Sequence, residues 1–141
     1  MRLSENFKLE ELIASSTAEV YKISNYPSPT EIQNLKDLCE NILQPIRNKW
    51  NAPIYVNSGY RSPILNRKLK GVPTSYHISG NAVDITTRDV KKNKQLFEMI
   101  VDMIKNKEIT VGELIDESKY SWIHISNPVK EINEILHLDG K

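Results

Sequence analysis

At 141 residues the chain has the length of one domain, and a hydrophobic content of 39% is enough for a real core. A net charge of +1 with no basic stripe excludes an electrostatic nucleic-acid binder, and no run approaches the ~20 apolar residues of a membrane span. Residues 1–141 are expected to form a single, monomeric domain.

The opening Met1-Arg-Leu-Ser-Glu-Asn has no apolar h-region, so no secretory signal is expected and synthesis would be cytoplasmic. Ser28-Pro29-Thr30-Glu31 reads as a capping box with proline at the first helical position. Ile32, Leu35, Cys39, Ile42 and Ile46 continue it at helical spacing, and Pro45 should kink or shorten that helix near its end. Cys39, the one cysteine, excludes an internal disulfide and sits in this apolar stripe as a core residue.

Strand-like segments follow at Ile54 to Asn57, Ala82 to Thr86, Gly112 to Asp116 and Trp122 to Ser126. Residues 62–76 read as a connection with one helical turn and a loop. A second helix is expected from about Asp89 to Lys105, where Phe97, Ile100, Val101 and Ile104 share a face, with the mixed charges of Arg88 to Lys94 at its solvated start. The tail from Glu131 to His137 reads as a short amphipathic helix. Helices and short strands without regular alternation predict an α+β fold with a small, mostly antiparallel sheet.

His77, Asp84 and His124 are the candidate metal ligands, in Ser75-Tyr-His77-Ile-Ser-Gly80-Asn-Ala82-Val-Asp84 and Trp122-Ile-His124-Ile-Ser126. Zinc accepts imidazole nitrogen and carboxylate oxygen, and a catalytic site commonly has three protein ligands and one open position. Gly80 suits a turn that would bring His77 and Asp84 to one ion. Strand alternation would send Asp84 and His124 to the face opposite their apolar neighbours. His137 lies outside these motifs and is expected to be solvated rather than a fourth ligand.

Ser58-Gly59-Tyr60-Arg61-Ser62-Pro63, Asn66, Gly71, the two ligand motifs and the N-terminal Leu3-Ser4-x-x-Phe7 to Ser15-Ser16-Thr17-Ala18 together resemble the M15 family of zinc D-alanyl-D-alanine peptidases. The likeness is to its small branch common in phages and prophages, and it spans roughly residues 3–127. It implies an α+β domain with helices on one sheet face and a zinc cleft on the open face, bordered by Lys68, Lys70, Gly71 and Pro73. The implied activity is zinc-dependent hydrolysis of peptidoglycan stem peptides, as a carboxypeptidase or an endolysin-type endopeptidase, at the bacterial cell wall once released.

The resemblance further implies substrate binding by Arg61, assisted by Ser75. A guanidinium pairs with a carboxylate through two parallel hydrogen bonds. Many relatives carry an acid three residues before the last histidine, a position held here by Ser121. The candidate proton acceptors are then Glu117 and Asp116, which alternation places on opposite faces, with Glu117 favoured. Tyr60 and Trp122 either wall the cleft or pack in the core. Two alternatives stay open: a zinc-bearing module that binds cell-wall peptides without cutting them, and a phage structural component.

Overall fold

The computed structural model describes residues 1–138 and shows an α+β fold. Two short strands, β1 (Arg2–Ser4) and β2 (Phe7–Lys8), form an antiparallel pair, followed by α1 (Leu9–Ile13) and α2 (Ser16–Val20). Next come α3 (Pro29–Leu38), a π-helical turn (Cys39–Leu43) and α4 (Gln44–Trp50). The remaining elements are β3 (Tyr55–Ser58), α5 (Pro63–Lys68), β4 (Ala82–Thr86), α6 (Val90–Lys105), β5 (Glu113–Glu117), β6 (Trp122–Ser126) and β7 (Glu134–Leu138).

Local chemistry accounts for the helices. Glu31 reaches back to the Ser28 N–H at 3.2 Å, while the Ser28 hydroxyl donates to the same carboxylate at 2.6 Å. Pro45 has no N–H to give to the preceding turn, and the chain absorbs it by widening rather than breaking. The Gln44 N–H bonds back to the Cys39 carbonyl. At the start of α6 the Asp89 carboxylate accepts from the Lys92 N–H at 3.0 Å.

The main sheet has the order β3-β4-β6-β5-β7, antiparallel throughout except for the parallel β5–β7 pair. Val83, Ile85, Leu114, Ile123 and Ile125 point from it into a core completed by Leu35, Leu38, Ile42 and Ile46 of the first helical run and Leu96, Phe97 and Ile100 of α6. Cys39 is buried there, and burial pushes its thiol up to about 12. The alternate residues Asp84, His124, Glu113, Ile115 and Glu117 are left on the other sheet face.

One element differs from the sequence expectation: the tail is strand β7, not a helix. Ile132, Ile135 and Leu136 have helical spacing, but the free edge of β5 offers unpaired backbone groups. Asn133, at φ 53°, breaks any helix and docks to Val111 through both its backbone N–H (2.7 Å) and its side-chain oxygen (2.9 Å). The tail then runs parallel to β5 from Glu134 to Leu138.

Candidate metal centre and active site

Three elements of structure converge on one point. Asp84 and His124 are directly opposed across the antiparallel β4–β6 pair. His77 comes from the loop before β4, where turns join Ser75 to Ile78, His77 to Gly80 and Tyr76 to Asn81. Gly80, at φ +75°, passes so close to the carbonyl of Glu31 that an added Cβ would sit 2.6 Å from its oxygen. Asn34 and Asn127 tie this loop down, Asn34 donating to the Ser79 carbonyl at 2.8 Å and Asn127 to Asn81 Oδ1 at 3.0 Å.

Asp84 Oδ1 lies 3.0 Å from His124 Nδ1 and 3.4 Å from His77 Nε2. Ligand atoms about 2.0–2.2 Å from a tetrahedral ion are ~3.4 Å apart, so the donor set fits one ion. His77, Asp84 and His124 are the group among the described residues whose ligand atoms all lie within 4.8 Å of one another. The tautomer of His77 also fits: Nδ1 is 2.7 Å from the Gly59 carbonyl and can only donate to it, leaving the Nε2 lone pair aimed at the centre.

The electrostatics of the site reflect the same packing. Burial alone would raise the Asp84 carboxyl, but hydrogen bonds from His124 and His77 overcome it and hold the group well below the usual carboxylate range. Burial opposes charge on His124, yet the Asp84 and Glu113 carboxylates push it up to about 9. Metal ligation requires neutral imidazoles, so a divalent cation would compete with protons for this cluster.

Arg61 stands beside the ligands. Its Nη2 is 3.7 Å from Asp84 Oδ2, the oxygen turned away from the histidines, while Ser58 Oγ accepts from Nε at 3.1 Å and Asn66 Oδ1 from Nη1 at 3.3 Å. Asn66 is itself buried and donates to the Val72 carbonyl at 2.9 Å. Gly71 keeps this corner open, since an added Cβ would meet Asn66 Oδ1 at 2.2 Å and Arg61 Nη1 at 3.2 Å.

A family model described as Peptidase M15 matches residues 5–126. The chain belongs to the peptidase M15 family. No curated protein matches the chain. The match takes in both ligand motifs, Arg61 and β5, and so the whole His77–Asp84–His124 group of this M15 chain.

A cleft of about 660 Å³ opens beside His124, lined by Val72, Thr74, Ser75, Tyr76, Glu113 and Glu117 among others. Ser75 is therefore at the cleft, where its Oγ also accepts from the His77 N–H at 3.2 Å. Lys68, expected at the rim, instead lies over the Tyr21 ring at 3.8 Å. Tyr60 is a core residue, and Trp122 sits on the His124 face with its indole Nε1 buried and without a hydrogen-bond partner among the described residues.

The two candidate acids separate as alternation requires. Glu117 is paired with Trp122 and shares the cleft with His124. Asp116 is buried on the opposite face, accepting from the Tyr120 N–H at 2.6 Å and lying 3.1 Å from His137 Nδ1. It holds the β5–β6 turn from the sheet face opposite Asp84 and His124, whereas Glu117 lies on theirs. His137 is exposed, as expected, with its ring centroid 5.2 Å from that of Phe97 on the Asp116 side. Ser121 donates to the Ser118 carbonyl at 2.6 Å within the turn.

Sequence reasoning missed Glu113. Its Oε1 lies 3.4 Å from His124 Nε2, and the alternation Glu113-x-Ile115-x-Glu117 puts it on the cleft face.

Proposed function

We propose that the chain is a zinc metallopeptidase that hydrolyses peptide bonds in peptidoglycan stem peptides, as a D-Ala-D-Ala carboxypeptidase or an endolysin-type endopeptidase. The observation that carries this reading is the His77–Asp84–His124 group, whose His124 lines a cleft that also holds Glu117, with the Arg61 guanidinium beside Asp84. When bound, zinc supplies Lewis acidity toward a carbonyl and lowers the pKa of a water molecule.

The residues of the chain do the rest. Arg61, fixed by Ser58 and Asn66, pairs with a substrate carboxylate or carbonyl and sets the scissile bond against the ligands. Glu117 takes the proton of the attacking water and passes it to the leaving nitrogen, so hydroxyl ends on the carbonyl carbon and the proton on the amine. Serine at position 121 is compatible with this reading, since Glu117 on the neighbouring strand would supply the acid.

Glu117→Gln keeps size and hydrogen bonding but cannot accept the proton. Zinc should remain bound at one equivalent while turnover of peptidoglycan falls about 10²–10⁴-fold. A Glu117→Gln protein with unchanged turnover would remove Glu117 from the reaction.

A further inference from the structure

We infer that Glu113 is a positioning residue for the metal centre: it accepts the Nε2 proton of His124, so that the ring presents Nδ1 to the ion. The inference rests on the metal reading above and adds to it a residue that the ligand motifs do not contain.

Both nitrogens of His124 are engaged. Nδ1 faces Asp84 Oδ1 at 3.0 Å, inside the ligand cluster, and Nε2 faces Glu113 Oε1 at 3.4 Å on the far side of the ring. A neutral imidazole has one N–H and one lone pair, so an acceptor at Nε2 leaves the lone pair on Nδ1. The Gly59 carbonyl does the converse for His77, holding Nδ1 protonated and freeing Nε2. Each ring thus turns a different nitrogen to the centre, and each has an oxygen against the other nitrogen.

Glu113 is itself held in place. Its backbone N–H donates to Ser126 Oγ at 2.8 Å, and its side chain is only 18% exposed. Glu117, four residues on, pairs with Trp122 and is the acid left to serve the water. The two glutamates on one strand face therefore divide the work, one turned to the ligand and one to the substrate.

Chelator competition gives the zinc affinity of the unaltered protein, Glu113→Leu and Glu113→Gln, and ¹⁵N NMR of the zinc-loaded protein gives the His124 tautomer. Glu113→Leu should weaken zinc binding roughly 10–100-fold. Glu113→Gln, whose carbonyl can still accept from Nε2, should restore binding to within a few-fold and keep turnover, a rescue that loss of folding could not produce. The NMR spectrum should show Nε2 protonated and Nδ1 bound to the metal.

Equal zinc affinity in Glu113→Leu, or His124 bound through Nε2, would overturn the inference while leaving the metal reading intact. So would a Glu113→Gln protein with full zinc and no turnover, since Glu113 would then be the proton acceptor. Absence of zinc binding by the unaltered protein would overturn the metal reading and this inference together.

Discussion

Arg61 shows how much a single side chain is constrained in this site. Its guanidinium meets a serine hydroxyl, a buried asparagine and the outer oxygen of Asp84, so its plane is set before any substrate arrives. Arg61→Lys keeps the charge but loses the planar pair of donors and the bonds that fix them. One charge-assisted contact is worth on the order of 1.5–3 kcal/mol, so kcat/KM should fall roughly ten- to a hundredfold with zinc still bound. Steady-state kinetics with unaltered kcat/KM would show that Arg61 does not hold substrate. The His77–Asp84–His124 group and Arg61 beside it were legible as candidates in the sequence because they stand in compact motifs with apolar neighbours. Glu113 was not, because its contact to His124 depends on the β5–β6 register, which a list of residues does not contain.

At the scale of elements, the β5–β6 hairpin is the part that needs the most support. Ser118, Lys119 and Tyr120 follow one another at φ 49°, 55° and 66°, a left-handed run that costs L-residues energy at each step. Asp116 offsets that cost by accepting from the Tyr120 N–H at 2.6 Å, and it also meets His137 on β7. Asp116→Ala should therefore lower the free energy of unfolding by about 1–3 kcal/mol, read by urea denaturation, with zinc stoichiometry unchanged. Loss of zinc from Asp116→Ala with no change in stability would place Asp116 at the metal instead. The first helical run, α6 and strands β3 to β6 could be read from periodicity to within a residue or two at their ends. Strand β7 could not, because short apolar spacing fits either period and the open edge of β5 decided it.

For the whole molecule, sheet and helices divide the labour. One face of the sheet packs on α6 and the first helical run, while the other carries Asp84 and His124 on adjacent strands and receives His77 from a loop pinned by Asn34 and Asn127. The α+β class followed from the order of helical and strand-like segments, and the sheet face that bears Asp84 and His124 from strand alternation. The route of the loop between α5 and β4 did not, and with it the lining of the cleft by Val72, Thr74 and Tyr76 rather than Lys68. Among the described residues no helix is long and apolar enough to cross a membrane.

Mass spectrometry of the peptides released from purified peptidoglycan is the most direct test of the central claim. The zinc-loaded protein should release new stem-peptide termini at one defined bond, and that release should stop on chelation, return with added zinc, and be lost in His77→Ala, Asp84→Ala and His124→Ala but persist in His137→Ala. Intact stem peptides after incubation with the fully zinc-loaded protein, or cleavage that survives complete removal of the metal, would contradict it.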